Sequence, residues 1–238
     1  MKRYVSVFEM FTRSSLYKVL LILVTMAVAQ LVSFYMTMQE HSDVILSDLI
    51  DKSYFSWIWK IAYILVTIAI VLPSCNMGSV QDYTLGRLRI EEKRVHLVQS
   101  LYNTLCYVLL WMTEVVVLLA TSTYYLKTTK LAVSNQTIFL EFYKSPMMHS
   151  ILPLEDIPGW ILLILFMIGT GFAAERFSRR QRIGKLSWEL ILMVALMLLL
   201  FPRQLGGSVV VFAIAWMILP LSFGYRKLID GGQVYEHK

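Results

Sequence analysis

The sequence predicts an all-α, polytopic membrane protein, and three observations support that prediction. First, six long apolar runs occupy most of the 238 residues, and about 18 apolar residues suffice for a helix to cross the roughly 30 Å hydrocarbon layer. Second, the chain is 57% hydrophobic and only 16% charged, whereas an ordinary soluble domain is about 25% charged. Third, lysine and arginine are concentrated beside alternate ends of the apolar runs, as the positive-inside rule expects of cytoplasmic flanks.

The six predicted spans form one transmembrane domain over residues 1–238, separated by short polar connectors. Their bounds are 16–38, 57–75, 101–126, 158–174, 186–201 and 205–225. Aromatic side chains such as Trp57, Trp160 and Trp188 lie near the ends of these runs, where amphipathic rings favour the membrane interface. Barrel strands need only about ten residues, so runs of this length indicate helices.

The distribution of basic residues predicts that both chain ends face the cytoplasm. Most of the 22 lysines and arginines lie at the amino end, in the second and fourth connectors, and in the carboxyl-terminal tail. An even number of spans agrees with that orientation. The net charge of +6 is explained by attraction to anionic inner-leaflet lipids. Membrane lipids are therefore predicted partners, and nucleic acid is not.

The first sixteen residues predict an amphipathic helix that lies along the inner membrane surface before the first span. Apolar and basic residues alternate there with helical spacing: Val5, Phe8, Phe11 and Leu16 against Lys2, Arg3 and Arg13. The alternative is a solvated start with no fixed structure, since short periodic segments are a weak signal.

The motifs of soluble and membrane enzymes are missing from the chain. There is no G-x-x-x-x-G-K-[ST] phosphate loop and no H-E-x-x-H metal motif, and the four histidines have no metal-ligand spacing. Glu91 and Glu92 are superficially similar to the paired glutamates of intramembrane prenyl-protein proteases, but the membrane-buried histidines of those enzymes are absent. We therefore predict no catalytic residue, no metal site and no enzymatic activity.

The second connector carries the most specific pattern in the chain. Residues 85–92 read Leu-Gly-Arg-Leu-Arg-Ile-Glu-Glu. Two glutamates suit the first turn of the following helix, where carboxylates interact favourably with the helix dipole. The connector is thus predicted to be a short surface helix, a break, and the start of the third span.

This arrangement resembles the permease subunits of type-2 ATP-binding-cassette (ABC) exporters. Those subunits have about this length, six spans, cytoplasmic ends and a coupling helix between the second and third spans. Their coupling segment often reads arginine, leucine, proline, an aliphatic residue and serine. Arg87, Leu88 and Ile90 match that order, whereas Arg89 replaces the proline and Glu91 replaces the serine. The family often places small re-entrant helices between its last two spans, and the link over 201–207 is too short for them.

The resemblance implies a permease subunit in the plasma (inner) membrane of a bacterium, exporting rather than importing its substrate. It implies separate ATPase subunits that bind ATP and Mg²⁺, a second permease that is identical or related, and no cofactor on this chain. It also implies an ATPase coupling site formed by Leu85, Arg87, Leu88, Arg89, Ile90, Glu91 and Glu92. The predicted second cytoplasmic contact is Arg176, Arg179 and Arg180, for which lipid headgroups are the alternative partner.

The third predicted span has a polar face. Asn103, Tyr107, Glu114, Thr121 and Tyr125 fall within about 40° of one another on a helix. A carboxyl group at mid-span costs roughly 2.5–3.5 kcal/mol on insertion scales, so it faces a bundle interior or a wet cavity.

Two interpretations of Glu114 are open. It lines a translocation path or subunit interface, together with Asn103, Tyr107 and Gln30 of the first span, or hydrogen bonds inside the bundle neutralise it. The competing functions for the whole chain are an accessory or sensor membrane protein without a transport path and, less favoured, an intramembrane enzyme.

Overall fold

The computed structural model describes residues 2–40, 44–75, 92–129, 135–182, 184, 185 and 187–201. Within these ranges the regular structure is helical, and the prediction of an all-α protein is confirmed for them. The helices are α1 (Lys2–Glu40), α2 (Leu46–Lys52), α3 (Phe55–Cys75), α4 (Glu92–Thr128), α5 (Asn135–Lys144), α6 (Pro146–Ile151), α7 (Ile157–Arg182) and α8 (Glu189–Leu200).

Four of these helices are long and apolar enough to cross a membrane. The qualifying segments are Phe11–Glu40, Phe55–Cys75, Arg94–Thr128 and Ile157–Gln181. Each contains, or nearly coincides with, one of the first four predicted spans. The chain is therefore a membrane-embedded, multi-pass helical protein.

The fifth predicted span, over 186–201, is corrected to a shorter helix. α8 has 12 residues, which extend about 18 Å and fall short of the roughly 30 Å hydrocarbon layer. It ends where the chain meets Pro202: Phe201 has φ −110° and ψ 133°, the extended conformation that a following proline favours. The sixth predicted span, over 205–225, lies outside the described residues.

The predicted separate surface helix at the amino end is also corrected. α1 runs without a break for 39 residues, because no glycine or proline interrupts the sequence between Lys2 and Glu40. Its first turns pack against α4: the rings of Phe8 and Tyr102 meet edge to face with centroids 5.7 Å apart. The amino-terminal residues therefore extend the first span instead of forming a helix of their own.

α4 is the central helix of the bundle. It packs most extensively against α7 and α1, and α3 packs against α1, α7 and, less closely, α4. α4 and α7 approach each other closely at Gly171, where an added Cβ would lie 2.8 Å from the backbone nitrogen of Thr104. This crossing depends on the absence of a side chain at Gly171.

One end of the bundle gathers several of the basic segments, and we call it the basic pole. It consists of the amino-terminal turns of α1 and α4 and the carboxyl-terminal turns of α3 and α7. Cys75 Sγ of α3 donates to Gln181 Oε1 of α7 over 3.4 Å, and His96 of α4 contacts Glu175 of α7. Both ends of the 76–91 connector therefore attach at this pole.

Three short helices, α2, α5 and α6, cover the opposite end of the bundle. Tyr125 of α4 donates its hydroxyl to the carbonyl of Val44, 3.0 Å away, just before α2. The amide of Ser47 in α2 donates to the buried carboxylate of Glu141 in α5 over 3.3 Å. Trp111 Nε1 donates to the carbonyl of Ile151, the last residue of α6, over 2.9 Å. The bonds of Tyr125 and Trp111 hold this end of the bundle to α4, and the bond of Ser47 joins α2 to α5.

Candidate functional site

The candidate site is a stripe of buried polar side chains along α4, which we call the polar stripe. Apart from the neighbours Gln99 and Ser100, successive members are three, four or seven residues apart, so they fall on one face of a helix with 3.6 residues per turn. All of them are at most 7% exposed: His96, Gln99, Ser100, Asn103, Tyr107, Glu114, Thr121 and Tyr125. The residues predicted to share one face of the third span therefore do share the interior face.

Glu114 and Gln30 meet in the middle of this stripe. Both side chains are fully buried, at 0% exposure, and Gln30 Nε2 donates to Glu114 Oε1 over 2.9 Å. Among the described residues, the remaining oxygens, Gln30 Oε1 and Glu114 Oε2, have no hydrogen-bond partner. The pair connects α1 to α4 across 84 residues of sequence.

Tyr107 connects the stripe to α3. Its hydroxyl lies 2.9 Å from Thr67 Oγ1, and Thr67 already donates to the carbonyl of Tyr63 over 2.8 Å. A hydroxyl group has one proton to donate, so Tyr107 is the donor to Thr67. Its ring also continues a row of aromatic contacts through Tyr63 and Trp59 to Phe201, with successive centroids 5.4, 5.4 and 4.1 Å apart.

Replacing Tyr107 with phenylalanine is expected to lower the free energy of unfolding by about 1 kcal/mol, because it removes a buried hydrogen bond and leaves the ring in place. Thermal unfolding in detergent or nanodiscs measures the change. The matched control is Tyr124→Phe at an exposed ring of the same helix, for which no change is expected. Equal effects of the two substitutions would contradict a stabilising role for the Tyr107 hydroxyl.

Asn103 connects the stripe to α7. Its Nδ2 donates to the carbonyl of Gly171 over 3.3 Å, at the close crossing of α4 and α7. Tyr102, the residue before Asn103, lies on a different face of α4. It donates its hydroxyl to Ser15 Oγ of α1, 2.9 Å away, since Ser15 already donates to Phe11. Polar contacts therefore tie α4 to α1, α3 and α7 along most of its length.

Charged groups gather where the stripe reaches the basic pole. His96 Nδ1 and Glu175 Oε1 lie 2.6 Å apart with side chains 8% and 5% exposed. On the next residue of α7, Arg176 pairs with Glu189 of α8 over 2.8 Å, and Arg180 lies 3.9 Å from the same carboxylate. The first turn of α8 is thereby held to α7.

The predicted site residues fall into three groups according to where they lie in the structure. Gln30, Asn103, Tyr107 and Glu114 come together inside the bundle, each hydrogen-bonded within the chain; their role in a translocation path stays a prediction. Of the predicted second contact, Arg176 and Arg180 face Glu189, and Arg179 is half-buried on the same helix. The coupling residues Leu85, Arg87, Leu88, Arg89, Ile90 and Glu91 lie outside the described residues, and Glu92 begins α4.

Sequence reasoning missed the contacts at the basic pole. His96 lies seven residues before Asn103, two helical turns away on the same face, and that spacing was a usable signal. Glu175 and Glu189 flank the basic fourth connector, whose arginines were predicted to contact a partner. Acidic residues on either side of a short basic connector are a second signal, because buried acids in a bundle need partners.

An apolar groove lies at the capped end of the bundle, between α4, α5 and the segment after α6. Its volume is about 320 Å³, and it is lined by Leu119, Ser122, Thr123, Leu126, Ile138, Phe139, Phe142, Leu152 and Leu154. The hydroxyls of Ser122 and Thr123 donate to carbonyls of their own helix. The groove can hold an apolar chain but directs no polar group at it.

No protein-family model, curated protein or solved structure matches this chain. Among the described residues, no group of three or more His, Cys, Asp or Glu side chains is placed to hold a metal ion. Function must therefore be inferred from the polar stripe, the basic pole and the sequence of the connector that joins α3 to α4.

Proposed function

We propose that this chain is the permease subunit of an ABC transporter in the plasma (inner) membrane of a bacterium. In this proposal it pairs with a second permease, identical or related, and with two ATPase subunits that hydrolyse ATP. Export is favoured over import because the connector sequence resembles that of exporters. The observation that carries the proposal is the basic pole, where the helix ends that border the connector contact the basic end of α7.

The contacts at the basic pole support a single docking face. Cys75 precedes the connector directly and touches Gln181 near the end of α7. The helix end that precedes the coupling segment therefore lies beside the helix end that carries Arg179, which supports one partner for both. In the proposal Leu88 supplies the apolar anchor in a groove of the ATPase, and Arg87 and Arg89 pair with acidic residues around it.

The packing of α4 supports a route for mechanical coupling. α4 begins at Glu92, directly after the connector, and its hydrogen bonds reach α1, α3 and α7. A displacement of the connector when two ATPases close would pull on a helix that is tied to three others. The bundle would then move largely as a rigid body, which is one of the common modes of conformational switching.

Replacing Leu88 with glutamate is expected to abolish co-purification of the ATPase, because a buried charge would replace the apolar anchor. The conservative variant Leu88→Met is the matched control, since it keeps an apolar side chain of similar volume, and it should retain the ATPase. The measurement is affinity purification of the tagged chain from native membranes, with ATPase activity and mass spectrometry of the eluate as readouts.

Two outcomes would overturn the assignment at different levels. If the Leu88→Glu chain still recovers the ATPase, Leu88 is not the anchor. If the unaltered chain recovers no ATPase from its native membrane, the transporter function itself is wrong. Membrane insertion of every variant is checked by its elution as a folded species in detergent.

The second candidate is an accessory or sensor membrane protein without a transport path. It is favoured by the burial of the four residues predicted to line a path, each of which has a hydrogen-bond partner within the chain. A complex that contains partner membrane proteins but no ATPase would select this candidate.

A further inference from the structure

We propose that Gln30 and Glu114 form a closed acid–amide pair, in which Glu114 carries its proton and each side chain donates one hydrogen bond to the other. The pair would fasten α1 to α4 at mid-span. This inference rests on the geometry of two side chains and holds whether or not the chain is a transporter subunit.

Half of the pair is already visible in the hydrogen bonds. Gln30 Nε2 donates to Glu114 Oε1 over 2.9 Å. Each group also has one oxygen left over as an acceptor, Gln30 Oε1 and Glu114 Oε2, and both are buried without a partner among the described residues. These two oxygens cannot form a hydrogen bond with each other unless one of them carries a hydrogen atom.

A proton on Glu114 Oε2 supplies that hydrogen. The carboxylic acid then donates to Gln30 Oε1 while its carbonyl oxygen accepts from Gln30 Nε2, and the two planar groups close an eight-membered ring. No group has to be transferred, because the proton is the carboxyl group's own. With the proton in place, both of the otherwise unpartnered oxygens are satisfied, as is usual for buried polar groups.

Among the residues that the structure describes, no cation is placed to balance a negative charge on Glu114. Among the described residues, no basic side chain forms an ion pair with it. The nearest basic positions along the two helices, Lys18 of α1 and Lys127 of α4, are about 18–20 Å away at 1.5 Å per residue. Lys60 of α3 lies over the ring of Trp57, which is 64% exposed on the outside of the bundle. A neutral acid suits this interior; a carboxylate does not.

The pair has a mechanical consequence. Gln30 and Glu114 are 84 residues apart in sequence. Glu114 lies near the middle of α4, and Gln30 lies in the carboxyl-terminal third of α1. Two parallel hydrogen bonds between planar groups restrict sliding and rotation of one helix against the other. α1 and α4 would therefore behave as one unit in any movement of the bundle.

The protonation state is tested by infrared difference spectroscopy of the full-length protein in lipid nanodiscs. Subtracting the spectrum of Glu114→Gln from that of the unaltered protein should leave the carbonyl stretch of one protonated carboxylic acid, which shifts to lower frequency in D₂O. The subtraction isolates Glu114 from the other acidic side chains. If only carboxylate bands differ between the two spectra, Glu114 is ionised and the proposal fails.

The ring itself is tested by thermal unfolding of four variants. Glu114→Gln replaces the acid with an amide that can close the same ring with an N–H donor, so its Tm should stay near that of the unaltered protein. Glu114→Ala and Gln30→Leu break the ring, and each should lower Tm by at least about 2–4 °C. The matched control is Gln39→Leu, which removes an amide that bonds Tyr35 on the exposed face of α1 and should leave Tm unchanged.

A different pattern of Tm changes would contradict the proposed acid–amide pair. If Glu114→Gln destabilises the protein as much as Glu114→Ala, a negative charge and not the ring stabilises this site, and a cation elsewhere in the chain must face it. If Glu114→Ala does not yield folded protein, the infrared comparison of the unaltered protein with Glu114→Gln still decides the protonation state.

Discussion

Replacing Glu175 with alanine is expected to lower the free energy of unfolding by about 3–5 kcal/mol, the usual result of removing one partner of a buried pair. Glu175 Oε1 and His96 Nδ1 are 2.6 Å apart, with both side chains at most 8% exposed. Without the carboxylate, the imidazole would lose this partner while it remains buried between α4 and α7. The loss should therefore exceed that of any exposed acid.

A double-mutant cycle measures this interaction directly. His96→Ala, Glu175→Ala and the double variant are unfolded by heat in nanodiscs, and the double variant should be more stable than the sum of the single losses predicts, by at least about 1 kcal/mol. The matched control is Glu9→Ala, which removes an exposed acid from α1 at the same pole. Strictly additive losses would show that the two side chains do not stabilise each other.

Replacing Gly171 with alanine is expected to destabilise the protein by about 1–3 kcal/mol, because a methyl group would be forced into a packed helix crossing. The added Cβ would lie 2.8 Å from the backbone nitrogen of Thr104 and 3.0 Å from its Cα. Backbone atoms cannot rotate out of the way, so α7 must shift from α4. That shift would also strain the hydrogen bond from Asn103 to the Gly171 carbonyl.

The comparison that isolates this steric effect is Val116→Ile on α4. It also adds one carbon atom, but at a side chain that is 63% exposed, so the Tm should not change. Thr104→Ala in the Gly171→Ala background should recover only part of the loss, because the backbone contacts of Thr104 remain. Full recovery would mean that the hydroxyl of Thr104, and not the helix backbone, limits the approach of the two helices.

The membrane class and the first four spans followed from the sequence because they depend on local properties. Hydrocarbon thickness sets the length of an apolar run, and the helical repeat sets which residues share a face. Asn103, Tyr107 and Glu114 were therefore assigned correctly to one face of α4. The same reasoning could not find α2 and α5, whose short sequences mix apolar and polar residues and are stabilised by contacts such as Ser47 with Glu141.

The ends of helices were less predictable than their centres. The apolar run over 186–201 was long enough to suggest a span, but α8 occupies only 12 of those residues. Conversely, α1 was predicted in two pieces and is one helix. In both cases the outcome depends on what lies next to the segment: Pro202 after α8, and the ring of Tyr102 beside the first turns of α1.

The sequence by itself determined that Glu114 must face the protein interior, because lipid cannot solvate a carboxyl group at mid-span. Only the tertiary structure decided that Gln30 would meet it there, and that Glu175 would meet His96 at the basic pole. The physical reason is that helical periodicity orients a side chain around its own axis but leaves open which helix stands opposite. Which helices face each other is decided by the packing of all the helices together, including the close crossing that Gly171 permits.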